Sequence, residues 1–252
     1  MFPVCHIYIA SKVMDNISDF AVLGSIYPDA VVSRDIPRNI THYNSSALFN
    51  FFKNREKKIT DFAKGSITHC VDMKGLDYYS DESFPDGHDL GYCFEKAKYI
   101  EKDVVKYCNV PEKIGLWKAH NIIEIAFELF IDKKDGSLKH RFKKVIMDEG
   151  LIDYVSRRLA CFYSKDAGYF VGKFRKFIDY FDYDNVCALN MAKKYSIQLK
   201  IKHGIEVEDT SKMASIILKS LDIIKTDADD FIDYVIGSLR RTMPSIDAKT
   251  YD

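Results

Sequence analysis

The sequence predicts an all-α protein built from many helices. Apolar residues recur at helical spacing along most of the chain, and the stretch after Gly115 has no helix breaker before the turn at 133–136. Only residues 196–207 alternate between apolar and polar positions as a strand would. Because one strand without a partner does not form a sheet, this segment does not change the predicted fold class.

The composition is that of a globular protein with a large core. The chain has 252 residues, of which 47 % are hydrophobic, so we expect a single domain over residues 1–252. Residues 1–132 of this domain carry the candidate metal site, and residues 133–252 supply additional helices. Lys and Arg together number 37, as do Asp and Glu, so the formal net charge is zero. A stable complex with nucleic acid is therefore not expected.

The first residues and the cysteines limit the location and the chemistry. The N-terminal stretch has no basic leader, no small-residue cleavage pattern and no spanning helix, so we expect a cytoplasmic protein without a transmembrane segment. The six cysteines are scattered and form no Cys-x-x-Cys pair. This distribution favours reduced thiols that pack on helices over a disulfide framework or a thiolate zinc site.

The first predicted helix runs from His6 to about Phe20 and leads into a turn-rich segment at 24–29. Pro28 cannot continue the interior of a helix, so we expect it to present Asp29 from a rigid turn. The carboxylate of Asp29 is then available either to coordinate a metal ion or to cap the next segment.

Further candidate ligands lie around the next two helices. Residues 33–46 are polar and broken by a proline, which predicts a loop with His42 just ahead of a helix. The stretch 59–80 predicts a helix on which His69 and Asp72 lie three residues apart, close enough to share one metal ion. The alternative for this pair is a buried histidine that is hydrogen-bonded to a nearby acid.

The acidic stretch SDESFPDGHD breaks that helix and delivers His88 from a loop. A helix is predicted at about 90–108, and the next one, after Gly115, carries His120 and Glu124 four residues apart on one face. Its other residues are so apolar that we expect the helix to be buried nearly all round, where an unpaired carboxylate is costly. A metal ion and a structural hydrogen bond are the two interpretations of this pair.

The rest of the chain is also predicted to be helical, without an internal repeat. The predicted helices cover about 138–148, 150–164, 169–181, 184–195, 210–223 and 226–241. Their many aromatic residues are interpreted as core rather than as ligands.

The candidate ligands cluster in the first half of the chain. Five of the seven histidines lie within the first 120 residues, each near a helix end or an acidic residue. The predicted metal ligands are His6, Asp29, His42, His69, Asp72, His88, His120 and Glu124. Nitrogen and carboxylate donors without thiolates are typical of catalytic zinc sites, and eight ligands are more than one ion needs. Two or three ions a few ångströms apart are the arrangement that hydrolyses phosphoesters.

Several of these residues stand in short motifs. The motifs are LGSIYPD at 23–29, Thr41-His42, GSITH at 65–69, PDGH at 85–88 and His120-x-x-x-Glu124. Their order and spacing resemble the zinc-dependent phospholipase C family, relatives of the single-strand-specific zinc nucleases. The resemblance covers about residues 4–130.

This resemblance implies a multi-helix single domain of zinc-dependent phospholipase C type with a trinuclear zinc cluster. The implied ligand groups are His42, His69 and an acid for one ion, His88, His120 and Glu124 for a second, and His6 with Asp29 for a third. The family places its acid four residues after the central histidine, where this chain has Met73. The nearest acid is Asp72, and Asp77 is the alternative. The N-terminal tryptophan that the secreted relatives use on the third ion has no counterpart ahead of His6.

The function implied by the resemblance is that of a zinc-dependent phosphodiesterase in which a metal-bound hydroxide attacks phosphorus, with Asp29 close enough to act as general base. The expected substrate is a phosphodiester, and a phospholipid, a nucleotide and a nucleic acid all stay open. One alternative is a metal phosphohydrolase of the His-Asp domain type, built on His88-Asp89 with His42 or His69. Another is a catalytically inactive helical binding protein of the same fold.

Overall fold

The computed structural model describes residues 3–181 and 183–248 of the chain. Helices are the regular secondary structure of this part, and no strand occurs among its residues, so the predicted all-α fold class is confirmed. None of the helices in these ranges has both the length and the apolar character that crossing a lipid bilayer requires.

Fourteen α-helices follow one another along the described residues. Their bounds are α1 Pro3–Val13, α2 Asp19–Val31, α3 Arg38–Thr41, α4 Ser45–Phe52, α5 Lys57–His69, α6 Tyr92–Ala97, α7 Glu101–Tyr107, α8 Gly115–Lys134, α9 Ser137–Met147, α10 Glu149–Tyr163, α11 Ala167–Phe177, α12 Ala188–His203, α13 Thr210–Ile224 and α14 Ala228–Ala248. A π-helical turn spans Tyr78–Glu82, and two 3-10 turns span Glu112–Ile114 and Ile178–Tyr180.

Helix α8 lies in the core, where it packs against α1, α6, α7 and α13. Most of its residues are buried, as its apolar sequence predicts, and its buried polar residues include His120, Glu124 and Glu128. Glu128 accepts hydrogen bonds from the backbone N–H groups of Val4 (2.9 Å) and Cys5 (3.1 Å). Because the first N–H groups of a helix have no partner within it, this carboxylate ties the start of α1 to α8.

Helices α2 and α5 cross at a pair of glycines. A Cβ atom at Gly24 would lie 1.9 Å from the carbonyl oxygen of Phe62, and one at Gly65 would lie 2.1 Å from the carbonyl oxygen of Ala21. Only glycine allows two backbones to approach so closely. The crossing therefore holds the C-terminal halves of both helices, which carry candidate ligands, side by side.

The turn predicted at 24–29 is wrong, because α2 continues through these residues to Val31 and contains Pro28. A proline removes one helical hydrogen bond, and α2 ends within one turn of Pro28. There the N–H of Val32 donates to the carbonyl oxygen of Pro28 (3.2 Å). Asp29 is therefore held by a helix and not by a turn.

Two predicted helices are each divided in the structure. The first is interrupted between α1 and α2, where the hydroxyl of Ser18 accepts a hydrogen bond from the N–H of Ala21 and starts a new helix. The helix predicted at 90–108 consists of α6 and α7. In both cases the apolar period continues across the break, so periodicity alone did not reveal it.

The alternating segment 196–207 is helical as far as His203, where α12 ends. Ile197 and Ile201 are both exposed on this helix, so their spacing does not mark a buried face. The helix ends because Gly204 takes a left-handed conformation with φ of 67°.

Candidate metal centre

Three groups of three side chains in the N-terminal half could each hold a metal ion. The groups are His6, Asp29 and His69; His42, His69 and Asp77; and Asp81, His120 and Glu124. Within each group, one ligand atom from every residue lies within 4.8 Å of the others. The structure thus brings together six of the eight predicted ligands, but not Asp72 or His88.

The ligands come from elements that are far apart in the sequence. Their positions are His6 on α1, Asp29 on α2, His42 directly after α3, His69 at the end of α5, Asp77 just before the π-helical turn, Asp81 within that turn, and His120 and Glu124 on α8. The centre therefore forms only when the N-terminal helices pack around α8.

The backbone of α2 orients His69. The Nδ1 of His69 must donate to the carbonyl oxygen of Ser25 (2.7 Å), and the Nε2 of His69 therefore faces the other ligands. This Nε2 lies 3.4 Å from Asp77 Oδ2 and 4.0 Å from Asp29 Oδ1. The ring of His6 stacks on the ring of His69, with 3.6 Å between the centroids. Because only one nitrogen of His69 is available, this residue can bind one ion at a time although it belongs to two groups.

Asp29 and Asp77 lie between the other histidines. His42 Nε2 is 3.1 Å from Asp29 Oδ1 and 3.6 Å from Asp77 Oδ2. His6 Nε2 is 3.5 Å from Asp77 Oδ1 and 3.8 Å from Asp29 Oδ2. The Nδ1 of His42 is hydrogen-bonded to the hydroxyl of Thr41 (2.6 Å), which holds its Nε2 toward the two carboxylates.

The third group lies against α8. His120 Nε2 is 2.9 Å from Asp81 Oδ1 and 3.5 Å from Glu124 Oε1. Arg38 links this group to the others, since its Nη2 donates to Asp81 Oδ2 (2.6 Å) and lies 3.5 Å from Asp77 Oδ2. The three groups therefore form one continuous cluster of carboxylates and imidazoles.

Neighbouring histidines keep the aspartates of the cluster ionised. Burial alone would raise the pKa of Asp29, Asp77 and Asp81. Nearby positive charges and hydrogen bonds together outweigh burial, with His69 contributing for Asp29 and Asp77 and His120 for Asp81. They hold the pKa of Asp29 and Asp77 well below the usual range and lower that of Asp81. Ionised carboxylates are the form that binds a metal ion.

The histidines differ in protonation. Burial lowers the pKa of His6 and His42, so both are neutral as a metal ligand has to be. Burial also opposes the charged forms of His69 and His120, but the carboxylates beside them outweigh it and raise the pKa of both. A metal ion that binds these two residues takes the place of a proton.

Asp72, predicted as a ligand beside His69, has another role. Its carboxylate accepts hydrogen bonds from the N–H of Ser45 (3.2 Å), the hydroxyl of Ser45 (2.6 Å) and the N–H of Ser46 (2.9 Å). It therefore caps the N-terminus of α4. Helix α5 ends at His69, so the helical spacing that placed Asp72 next to it does not apply, and the chain turns back to bring Asp77 there.

His88 is exposed on a loop and belongs to none of the groups. Asp81 stands beside His120 instead, and sequence analysis did not identify it because its segment was interpreted as a helix-breaking acidic loop. The signal that could have found it is the spacing of Asp77 and Asp81, four residues apart, as in the pair of His120 and Glu124.

The cluster opens onto a cavity of about 230 Å³. Four carboxylates line it from the N-terminal half: Asp29, Asp77, Asp81 and Glu124. Helices α11 and α12 and the segment between them contribute three lysines and three aromatic residues, which are Lys173, Lys176, Lys202, Phe177, Tyr180 and Phe181. The two halves of the chain thus meet at this cavity.

The donor set of the cluster fits a divalent ion. It consists of imidazole nitrogens and carboxylate oxygens, and no cysteine belongs to the three groups. Among the described residues, His69 Nε2 is a buried atom without a hydrogen-bond partner, and it faces the other ligands, so a bound ion could satisfy it. Comparisons of the chain with protein-family models, with curated proteins and with solved structures find no match.

Proposed function

We propose that this protein is a zinc-dependent phosphodiesterase that resembles the zinc-dependent phospholipases C. The observation that carries the proposal is the continuous cluster of four histidines and four carboxylates at one cavity. A structural hydrogen-bond network would not need so many ionisable groups together, whereas closely spaced divalent ions do.

Zinc is the proposed metal because imidazole and carboxylate donors without thiolates are typical of catalytic zinc sites. One ion would be held by Asp81, His120 and Glu124. A second would be held by His42 and His69 with Asp77. A third ion on His6 and Asp29 would have to complete its coordination without His69, so the cluster supports two or three ions.

Bound ions would supply a water of lowered pKa and would neutralise the phosphoryl oxygens. Asp29 lines the cavity and its side chain is 26 % exposed, so it can contact a water molecule or a substrate. Its lowered pKa keeps it ionised, which suits a ligand and an acceptor that orients a water molecule better than a base that retains a proton.

The His-Asp domain alternative is disfavoured by its own key residues. His88 and Asp89 are both exposed, and neither belongs to the clustered groups. That alternative would also leave His6, Asp29 and Glu124 without a role. A catalytically inactive binding protein of the same fold stays open, because the same cluster could bind zinc without turnover.

Metal analysis combined with a hydrolysis assay tests the proposal. We expect the purified protein to contain two or three zinc ions per chain and to hydrolyse bis(p-nitrophenyl) phosphate in a reaction that a chelator abolishes and zinc restores. His120→Ala should lose about one ion and the activity, whereas His88→Ala, the matched histidine outside the cluster, should keep both. Bound zinc without chelator-sensitive hydrolysis would instead support the binding protein.

A further inference from the structure

Three lysines at the cavity have no assigned role in the proposed reaction. They are Lys173 and Lys176 on α11 and Lys202 on α12, and together we call them the lysine wall. They line the same cavity as the four carboxylates of the metal cluster. The lysine wall belongs to the C-terminal half of the chain, so the two kinds of charge are brought together only by folding.

In the described part of the chain, the lysine wall forms no close ion pair, although the carboxylate of Asp29 attracts the ammonium group of Lys202 from a longer distance. Within the ranges that the structure describes, no carboxylate oxygen lies within 4.0 Å of the ammonium group of Lys173, Lys176 or Lys202. Other lysines of the C-terminal half do form such pairs, for example Lys143 with Asp184 and Lys219 with Asp103. The ammonium group of Lys202 lies 5.0 Å from the centre of the Tyr180 ring, which does not neutralise its charge.

A further basic pair lies beside the lysine wall. Lys118 on α8 is buried, and its Nζ is 2.8 Å from His203 Nε2. A second cavity of about 100 Å³ is lined by Lys118, His203 and Lys202. The basic groups at this end of the cavity therefore repel each other, and the charge of Asp29 compensates that of Lys202 only in part.

The charges of the cavity indicate what would balance the lysine wall. Two divalent ions would compensate the four carboxylates that line the cavity, which leaves the lysines to interact with the substrate. A phosphodiester has one negative charge, and the metal ions would already face it. A further anionic group on the substrate is therefore needed to compensate three ammonium groups.

We propose that the lysine wall binds a second phosphate group of the substrate, carried next to the phosphodiester that is hydrolysed. The substrate class is then a phosphodiester with an adjacent phosphomonoester, and a zwitterionic or neutral head group is disfavoured. Phe177, Tyr180 and Phe181 also line the cavity and would contact the uncharged part of such a substrate. The hydrolysis of such a substrate rests on the proposed function. The binding of an anion by the lysine wall does not.

A binding experiment tests the lysine wall directly. Inorganic pyrophosphate is titrated by calorimetry into the zinc-loaded protein, the double variant Lys173→Met with Lys202→Met, and the control Lys193→Met. Lys193 is an exposed lysine of α12 that does not line the cavity. We expect the double variant to bind pyrophosphate at least tenfold more weakly, with unchanged zinc content and helicity, and the control to bind as the wild type does. Equal affinities in all three proteins would overturn the inference.

A pair of substrates tests selectivity. Thymidine 5′-(p-nitrophenyl phosphate) is compared with the same compound carrying a 3′-phosphate, and a phosphoinositide in vesicles is compared with phosphatidylcholine. We expect the additional phosphate to lower KM at least tenfold in one or both pairs, and the double variant to lose this preference. The pair that shows the preference identifies a nucleotide or a lipid head group as the source of the phosphate.

The two proposals fail in different ways. Hydrolysis that is indifferent to the second phosphate would refute the lysine wall and leave the phosphodiesterase in place. Lysine-dependent binding of pyrophosphate without hydrolysis of any diester would refute the phosphodiesterase and support an anion site beside a metal-binding cluster.

Discussion

Asp77 contacts three histidines of the cluster, as Asp29 also does, and it is the more deeply buried of these two carboxylates. Its two oxygens lie 3.5 Å from His6 Nε2, 3.6 Å from His42 Nε2 and 3.4 Å from His69 Nε2. It is buried, so its charge is costly unless cations compensate it. In the proposed metal centre those cations would be the bound ions.

We therefore expect Asp77→Asn to remove about one zinc ion per chain. The amide has nearly the size of the carboxylate but carries no charge, and a neutral amide is a poor ligand for zinc. The protein is dialysed against buffer that contains a trace of zinc, and its zinc content is then measured by mass spectrometry. An unchanged zinc content in a folded variant would contradict this expectation.

Asp72→Asn is the matched control, five residues away and outside the cluster. Because Asp72 caps α4, this variant should lose about 1 kcal/mol of stability towards denaturant while keeping its zinc. The two variants distinguish a metal ligand from a helix cap. Asp77→Asn should lower the zinc content, and Asp72→Asn should lower the stability without changing the zinc content. Loss of zinc in Asp72→Asn alone would restore the role first expected of it.

The sequence could identify most of the ligands but could not choose the acid beside His69. The choice depended on where α5 ends, and Asp72 would lie on the helix only if the helix continued past residue 69. Asp77 is brought back by a turn whose path depends on packing. Its Gly75 has no room for a side chain, because a Cβ atom there would lie 2.6 Å from the carbonyl oxygen of Ile67.

At the scale of the helices, the glycine crossing of α2 and α5 positions ligands on both. Gly24→Ala would place a methyl group 1.9 Å from the carbonyl oxygen of Phe62, a contact that the backbone of α5 can relieve only by moving. We expect a loss of about 3 kcal/mol in the free energy of unfolding, together with weaker zinc binding. Chemical denaturation and metal analysis measure the two effects.

Gly172→Ala is the control for this substitution. Gly172 lies within α11, and no atom lies within 4 Å of a Cβ built there. The same change should therefore stabilise the protein by about 0.5–1 kcal/mol, since alanine favours a helix. Similar effects of the two substitutions would show that the close approach of α2 and α5 is not what stabilises the fold.

Glu128 makes the junction of α1 and α8 sensitive to pH. Burial outweighs the hydrogen bonds from Tyr183, Val4 and Cys5 and raises the pKa of Glu128 to about 7 from an ordinary value of 4.5. The folded state therefore binds a proton more tightly than the unfolded state. The stabilisation is complete below about pH 4.5 and is lost as the pH rises through about 7.

Relative to Glu128→Gln, the wild type should lose about 3 kcal/mol of stability between pH 4.5 and 8. Glutamine keeps the shape of the side chain and removes the titration, so the other ionisable groups cancel in the comparison. Urea unfolding of both proteins across this range provides the measurement. Parallel stability curves would mean that the hydrogen bonds keep Glu128 ionised in the folded protein.

Helical periodicity was sufficient to predict the fold class and most helices, but not their ends. The apolar period of α2 continues through Pro28, but the sequence does not show how close a proline lies to the end of its helix. In α12, the exposed residues Ile197 and Ile201 produce the alternation of apolar and polar residues that is typical of a strand. These errors share one physical cause, which is that tertiary packing decides where a helix stops and which face it buries.

At the scale of the whole molecule, a zero net charge conceals two opposite local charges. The cluster of histidines and carboxylates concentrates negative charge from the N-terminal half, and the lysine wall concentrates ammonium groups from α11 and α12. The composition averages over both, and no spacing in the sequence relates residues so far apart. Sequence analysis could therefore predict most ligands of the cluster, but not Asp81 and not the cavity that joins the halves.

Because the carboxylates of the cluster lie close together, we expect a bound zinc ion to compensate their charge and stabilise the whole fold. Without zinc, Asp77 and Glu124 are buried with the half-buried Asp81 beside them, and burial raises the pKa of Glu124 because its charge is poorly compensated there. An ion that binds only the folded state at about a hundredfold above its Kd adds about 2.7 kcal/mol, which raises Tm by roughly 5–10 °C for a chain of this size. Differential scanning calorimetry with zinc and with a chelator measures the shift.

The variants show whether the shift comes from the cluster. Asp77→Asn should reduce the rise in Tm, whereas Asp72→Asn should lower Tm equally with and without zinc and so leave the rise unchanged. Magnesium should have a smaller effect, because it prefers oxygen ligands in octahedral geometry and the cluster offers four imidazoles. If the chelator left Tm unchanged, the buried carboxylates would have to be compensated by Arg38 and the histidines alone, and the cluster would then be a structural ion-pair network and not a metal centre.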